Sequence, residues 1–214
     1  HFTASLSSSI TIKPQDVSQY LQAYNFENEN FSVSMMLRPT QAPTHTSGSM
    51  ILQKQSTIEE LRTDLNGNLY TLPSPTQFPY KISYTSGSQK IKFEKKGATS
   101  LFAITSSVAL EPNNLYHVVA IKSGSVMSIH VNSTTSSSID SGSNTIPDSQ
   151  CSNLSNINIG NSYTFDQGFN GVIDNFKIYR GVLSNNEIKL LHHTMGVGNL
   201  FVGNVFYNHG MMVL

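Results

Sequence analysis

The acidic side chains of this 214-residue chain include two pairs whose spacing could support acid–base chemistry. Glu27 and Glu29 have same-face spacing in the sequence FENEN, whereas a strand would place the neighbours Glu59 and Glu60 on opposite faces. Hydrolysis of a glycosidic bond needs two carboxylates held about 5–10 Å apart. Neither pair has a third carboxylate at strand spacing, so we interpret both as solvated turns or strand edges and predict that the chain is not an enzyme.

Asp174 is a carboxylate in a strongly alternating segment, residues 172–179. Strand alternation groups it with apolar residues, which predicts that it faces the interior, where an unpaired charge would be costly. Two interpretations stay open. The carboxylate either accepts backbone hydrogen bonds or pairs with a cation, or it binds Ca²⁺ together with oxygens from Glu27 and Glu29.

A sugar site needs an aromatic platform surrounded by planar hydrogen-bonding groups. The chain has no Trp, so Tyr would have to supply the platform. Tyr70 and Tyr163 lie in or beside loop-rich regions, and Asn161 and Asn170 are close to Tyr163 in sequence. We therefore predict these four residues as carbohydrate contacts, with packing roles for the tyrosines as the alternative.

Composition and motifs exclude several other function classes. Lys and Arg together number 13, as do Asp and Glu, and charged residues make up only 12% of the chain. This balance lacks the basic footprint of a nucleic-acid binder, and no run approaches the ~18 apolar residues that cross a bilayer. G-x-S-x-G and H-E-x-x-H motifs are both absent from the sequence. We expect neither nucleic acid nor a membrane as a partner.

Short alternating segments separated by polar turns predict an all-β antiparallel sandwich. One long polar segment, residues 133–155, is predicted to be a loop in which a binding site could lie. Ser184 and Glu187 have the S-x-x-E spacing of a capping box, which predicts one short helix over residues 184–193. The predicted strands cover residues 9–12, 31–37, 50–53, 80–84, 90–94, 101–105, 116–122, 126–132, 156–159 and 172–179.

The pattern G-x-I-D-N-x-x-I-Y followed by L-S-x-x-E-I, over residues 171–188, resembles the C-terminal part of concanavalin A-like, laminin-G-like jelly-roll domains. Residues 31–37, 115–122 and 125–132 are similar to earlier strands of that family. The resemblance implies that residues 1–195 form one concanavalin A-like β-sandwich (jelly roll) with a short C-terminal helix. It also implies a lectin-like recognition role, and related domains often carry calcium.

The last residues, 196–214, change in character, because glycines punctuate an apolar sequence. We predict a β-hairpin tail that pairs with another chain or with a further domain, since alone it would expose an unpaired edge. The run GNVFYNHG resembles a short motif of tailed-phage and large-virus structural proteins. This resemblance implies a virion or extracellular surface location, with protein subunits of an assembly as partners of the tail.

Together these features predict a non-catalytic, lectin-like domain that binds a cell-surface or extracellular glycan and belongs to a virion structural protein. The alternative is a purely structural assembly domain without a glycan ligand. A glycoside hydrolase is a third interpretation, disfavoured because the E-x-D-x-x-E strand of jelly-roll glucanases is absent.

Overall fold

The computed structural model describes residues 2–4, 9–12, 24–26, 28–55, 61–63, 69–71, 76–97, 99–132, 134–140, 145–153 and 155–196. A single 3-10 turn (Asp148–Gln150) precedes the last two strands, and helix α1 (Asn185–Gly196) follows them. In chain order the strands are β1 (Phe2–Ala4), β2 (Ile10–Ile12), β3 (Phe31–Pro39), β4 (Ser49–Gln53), β5 (Leu61–Thr63), β6 (Leu69–Thr71), β7 (Phe78–Tyr84), β8 (Lys90–Lys96), β9 (Leu101–Ala109), β10 (Tyr116–Ser123), β11 (Val126–Val131), β12 (Thr134–Ile139), β13 (Ile157–Ile159) and β14 (Gly171–Arg180).

Two six-stranded sheets form the sandwich. The first sheet has the order β1-β14-β3-β10-β11-β12, and the second has the order β2-β13-β4-β7-β8-β9. Every strand pair in both sheets is antiparallel, as is the separate pair β5-β6. This confirms the predicted antiparallel β-sandwich with one short C-terminal helix, whereas the predicted hairpin tail lies, from residue 197 onwards, outside the described residues.

The core lies between the two sheets and is built by strand alternation. On β3 the residues of one parity, from Phe31 to Leu37, are buried against the second sheet. Phe31 stacks on Phe26 with ring centroids 4.7 Å apart and contacts Tyr80 and Phe93 at 5.5 and 6.2 Å. This aromatic cluster therefore joins the two sheets at the end of the sandwich where β3 begins.

A β-bulge in β14 changes which side chains face the core. Asp174 is opposite Met36 and Lys177 is opposite Ser34, so β14 has one more residue than β3 over this stretch, and Asn175 has a φ of 50°. Ile173, which precedes the bulge, is part of the core, whereas Asp174 shares the outer face with Met36. The prediction that Asp174 faces the interior is wrong, because the bulge breaks the simple alternation.

Helix α1 covers part of the outer face of the first sheet. Ile188 is buried against Val119 and Ile121 of β10. The predicted capping box is present: the Ser184 backbone N–H donates to Glu187 Oε2 at 2.8 Å, and the Glu187 backbone N–H donates to Ser184 Oγ at 3.3 Å. No helix in the described ranges is long and apolar enough to cross a membrane.

Three lysines close one end of the core, which we call the lysine end: Lys54, Lys95 and Lys122. Lys95 and Lys122 continue the inward-facing parity of β8 and β10, so their ammonium groups lie just beyond the apolar side chains. Lys54 Nζ donates to three oxygens, the Asn153 carbonyl at 3.0 Å, Asn153 Oδ1 at 3.1 Å and the Ser155 carbonyl at 2.8 Å. Each buried charge therefore meets oxygen partners rather than apolar surface.

Asp148 joins the two sheets at the lysine end. Its carboxylate lies 2.5 Å from Lys122 Nζ of the first sheet and 3.5 Å from Lys95 Nζ of the second sheet. Asp140 is a further partner of Lys95, at 2.9 Å. Residues 133–155, predicted as a loop available for binding, instead contain strand β12 and the segment that closes the core.

We expect Asp148→Asn to lower the free energy of unfolding by about 3–5 kcal/mol, because it removes the carboxylate between two buried ammonium groups. Lys122 would keep its hydrogen bond to the Glu29 carbonyl but would lose its carboxylate partner. Urea unfolding monitored by circular dichroism measures the effect, with an unchanged m-value as evidence that the same structure unfolds.

The matched control is Glu29→Gln, which removes one carboxylate from an ion pair with Arg180 in which both side chains are about half exposed. Such a pair contributes less than about 1 kcal/mol. Equal effects of the two substitutions would contradict the assignment of Asp148 as the group that joins the sheets.

Candidate functional site

A loop of residues 160–170 lies at the opposite end of the sandwich from the lysine end, between β13 and β14. The Phe169 N–H donates to the Gly160 carbonyl at 2.9 Å and so closes the loop at its base. The Met50 N–H donates to the Gln167 carbonyl at 2.7 Å, and the Thr40 N–H donates to the Asn170 carbonyl at 3.0 Å. The backbone of the loop is therefore fixed to the start of β4 and the end of β3.

Two buried side chains hold the 160–170 loop to the core. Phe169 is fully buried and packs edge-on against Tyr84, with ring centroids 6.1 Å apart. Asn161 is also fully buried, and its Oδ1 accepts the Ser162 N–H at 2.8 Å. These anchors give the loop a defined shape, because moving it would expose an aromatic ring and a buried amide.

Phe165 projects from the middle of the loop into solvent. Its side chain is 55% exposed, and its backbone has a φ of 60°, in the left-handed region that bulky residues rarely adopt. A turn hydrogen bond from the Phe165 N–H to the Ser162 carbonyl, at 3.1 Å, holds this conformation. An aromatic ring presented in this way costs energy twice, through backbone strain and through exposed apolar surface, and such positions occur preferentially at functional sites.

Asp166 lies next to Phe165 within a network of hydroxyl groups. Ser162 Oγ donates to Asp166 Oδ1 at 2.7 Å, and Thr164 Oγ1 donates to the same oxygen. The hydrogen bonds from Thr164 and Ser162 lower the pKa of the Asp166 carboxyl, and nearby His45 acts in the same direction. The carboxylate is therefore ionised at neutral pH and accepts hydrogen bonds beside the exposed ring.

The four predicted carbohydrate contacts have different positions in the structure. Tyr163 and Asn170 are half-buried in the 160–170 loop, near Phe165 in sequence. Asn161 belongs to the same loop but is fully buried, so its prediction as a surface contact is wrong: its amide supports the loop. Tyr70 is in β6, in the separate two-stranded sheet, and its side chain is outside the described part of the structure.

Sequence reasoning missed Phe165, although it identified the loop. The absence of Trp directed the prediction to Tyr as the aromatic platform, and Phe was not considered. The useful signal was the position of Phe165 between two hydrogen-bonding residues, Thr164 and Asp166, in a segment that has Gly at both ends, Gly160 and Gly168. An apolar ring in so polar a turn has few ways to become buried.

Two of the three residues predicted to bind calcium, Asp174 and Glu29, do not come together. Asp174 is opposite Met36, whereas Glu29 pairs with Arg180, which is opposite Phe31 at the other end of β3. Five residues of strand separate Phe31 from Met36, which is about 16 Å. Glu27 lies outside the described residues, and no cluster of three His, Cys, Asp or Glu suited to a metal occurs within the described ranges.

Histidines form a second group of chemically competent side chains, beneath the C-terminal half of α1. His117 of β10 is fully buried, donates to or accepts from Ser34 Oγ at 2.9 Å through Nε2, and stacks on His192 with ring centroids 5.8 Å apart. Burial lowers the pKa of His117 to about 4, and the charges of His192, His130 and Lys177 add to this effect. Its Nδ1 is buried and has no hydrogen-bond partner among the residues that the structure describes.

The model of one family, described as the concanavalin A-like lectin/glucanases superfamily, matches residues 15–189 of the chain. That range includes the lysine end, the 160–170 loop and the start of α1. No curated protein sequence matches the chain significantly.

Solved structures similar to the chain include binding domains and a domain of a polysaccharide-degrading enzyme. The binding domain of Paraclostridial Mosquitocidal Protein 1 is 15% identical, with a TM-score of 0.56 over 92% of this chain and 43% of that one. A structure of botulinum neurotoxin type C, whose cell entry depends on interaction with two ganglioside molecules, is 13% identical, with a TM-score of 0.55 over 87% and 42%. Domain 4 of AbnA, a GH43 arabinanase from Geobacillus stearothermophilus in complex with arabinotriose, is 15% identical, with a TM-score of 0.51 over 77% and 66%. The chain spans less than half the length of the two toxin structures, and at these identities the likeness shows the fold.

We expect the stability of the protein to fall as the pH decreases from 6.5 towards 4. An unfolded histidine gains its proton below pH 6.5, whereas folded His117 does so only near pH 4, so the stabilisation is complete above pH 6.5 and is lost within this window. The loss reaches up to about 3 kcal/mol.

Urea midpoints measured between pH 7 and pH 4 on the wild-type chain and on His117→Gln provide the test. The glutamine keeps a hydrogen-bonding side chain beside Ser34 but does not titrate, so its curve should be flatter. Parallel curves for the two proteins would rule out His117 as the origin of the pH dependence.

Proposed function

Because this chain belongs to the concanavalin A-like lectin/glucanases superfamily, we propose that it is a non-catalytic domain that binds a glycan on its 160–170 loop. The observation that carries the proposal is Phe165, whose ring is 55% exposed at a φ of 60° beside an ionised carboxylate. The combination matches what a sugar requires of a protein surface: an apolar face for its C–H groups and acceptors for its hydroxyl protons.

The rigidity of the loop favours binding. Ordering a flexible loop on association costs free energy, and a loop that already has its bound shape avoids that cost. Three backbone hydrogen bonds, donated by Met50, Thr40 and Phe169, and the buried Phe169 ring fix residues 160–170 before any ligand arrives. Tyr163 and Asn170 of the same loop are half-buried, so part of each side chain is accessible from solvent.

Two of the similar structures support a glycan as the ligand class. Botulinum neurotoxin type C interacts with gangliosides during cell entry, and the arabinanase domain contains arabinotriose. The arabinanase domain also belongs to an enzyme, and a hydrolase would require a second carboxylate facing the first. Asp166 is the only acidic residue in the sequence of the loop, which favours binding without catalysis.

Calcium support of the glycan site and attachment of the tail to an assembly remain predictions. Calcium support of the glycan site would need ligands other than the pair Asp174 and Glu29, which lie at opposite ends of β3. Attachment to the subunits of a virion through residues 196–214 concerns a segment that is beyond the family match and, from residue 197 onwards, outside the described residues.

We expect Phe165→Ala to weaken glycan binding at least about fivefold, because stacking and burial of an aromatic ring contribute about 1–3 kcal/mol. The control is Leu101→Ala, which truncates a side chain of similar exposure, 53%, in β9. A glycan array identifies ligands of the full chain, and titration calorimetry then compares the two variants.

The array is best run both with calcium and with a chelator, since loss of binding in chelator would show that an ion supports the site. Equal loss in Phe165→Ala and Leu101→Ala would move the site away from the 160–170 loop. Absence of binding to every glycan in both conditions would overturn the proposal and favour the purely structural alternative.

A further inference from the structure

We propose that the 160–170 loop, if it binds glycans as proposed above, selects neutral oligosaccharides with free hydroxyl groups and rejects glycans that end in a carboxylate, such as sialic acid. The proposal deepens the proposed function and rests on it. Its basis is the arrangement of charge and of hydrogen-bond acceptors around the exposed Phe165 ring.

Residues 40–48, 85–89 and 160–170 are three segments at this end of the sandwich. Residues 110–115 are a fourth segment, which is joined to Pro39 and Gln89 by the N–H groups of Asn113 and Leu110 and carries the carboxylate of Glu111. Ser86 Oγ donates to the Thr46 carbonyl at 2.8 Å, which joins the first two segments. The Thr40 N–H donates to the Asn170 carbonyl at 3.0 Å, which joins the first segment to the third. The surface available to a ligand beside Phe165 is therefore made by these segments together.

The sequences of the four segments contain no Lys and no Arg. Their charged and titratable groups, apart from the tyrosine hydroxyl, are the Asp166 and Glu111 carboxylates and the His45 imidazole. The nearest basic residues along the chain, Arg38 and Lys90, belong to the flanking strands β3 and β8. A carboxylate on a ligand would thus meet a negative charge at the ring and no guanidinium or ammonium group of these segments to pair with it.

The hydroxyl groups of the loop reinforce this preference. Ser162 and Thr164 direct their hydrogen atoms to Asp166 Oδ1, and Ser162 Oγ also accepts the Asp166 N–H at 3.3 Å. Asp166 Oδ2 receives neither of the two hydroxyl hydrogen bonds. The charged group that this network presents beside Phe165 is therefore an acceptor, the Asp166 carboxylate, which suits the O–H donors of a neutral sugar and repels an anion.

Matched glycans that differ only by a terminal sialic acid test the proposal on the full chain. We expect the asialo glycan to bind and its sialylated partner to bind at least about tenfold more weakly at low ionic strength. Added salt should reduce the difference, because it screens the repulsion between exposed charges.

Asp166→Asn supplies the second measurement. It removes the negative charge while keeping a side chain of similar shape, so the preference for the asialo glycan should shrink several-fold. The control Glu29→Gln makes the same change in net charge at the lysine end and should leave the preference unchanged.

The outcomes separate this proposal from the one on which it rests. Binding of sialylated glycans as tight as, or tighter than, their neutral partners would overturn the neutral preference while leaving a glycan site at Phe165 intact. An unchanged preference in Asp166→Asn would overturn Asp166 as its origin. Failure of the wild-type chain to bind any glycan would instead contradict the proposed function itself.

Discussion

The ion pairs of Asp148 with Lys122 and Lys95 are the interaction on which the rest of the sandwich depends. A β-sandwich buries apolar side chains between its sheets, but its ends are open unless the chain covers them. Here one carboxylate bonds to a lysine of each sheet, and the segment that carries it also supplies the oxygens around Lys54. The same contacts therefore close the end of the core and hold the two sheets together. Buried ion pairs contribute little net stability compared with apolar packing, but they penalise alternative arrangements strongly, because a misplaced partner would leave a buried charge alone.

Closure of the core at the lysine end leaves the opposite end of the sandwich available for the candidate site. The 160–170 loop holds Phe165 in a strained conformation that costs about 1–3 kcal/mol. The surrounding structure must offset that cost, and it does so through the buried Phe169 ring and the hydrogen bonds to β3 and β4. A rigid sandwich that is locked at one end can support a strained, exposed loop at the other, which is the usual relation between a scaffold and its binding loops.

The sequence predicted most of the fold because alternation is a local signal. All ten predicted strands are present, and the Ser184–Glu187 capping box begins the helix at the expected place. Four described strands were not predicted: β1, β5, β6 and β12. Strand β12 was missed because its sequence TTSSSI has almost no apolar alternation: it is an exposed edge strand that pairs only with β11. The predicted face of Asp174 was wrong because a bulge inserts one residue into β14, and no local sequence pattern marked the bulge.

The lysine end and the candidate site were both harder to predict, since each depends on contacts between distant residues. Nothing in sequence distinguishes Lys54, Lys95 and Lys122 from solvated lysines, because their burial is decided by Asp148 and Asn153 about 25–100 positions away. For a similar reason the prediction included Asn161, which is buried, and omitted Phe165, which is exposed. Their exposure follows from the positive φ at Phe165 and from the way Phe169 seats the loop, and both are set by tertiary structure.

The enclosure of Lys54 by Asn153 has a consequence for the biogenesis of the chain. Asn153 opens an Asn-Leu-Ser sequence, the acceptor motif for N-linked glycosylation. In the folded protein its amide is buried, donating to the Lys54 and Gln77 carbonyls while its carbonyl oxygen receives the ammonium of Lys54. A glycosyltransferase could therefore modify Asn153 only before folding, and the bulky product would not fit between Lys54 and the core. Folding and glycosylation compete for this one amide. In a cell compartment that glycosylates such motifs, the faster of the two processes would determine whether the chain folds or is first modified at Asn153.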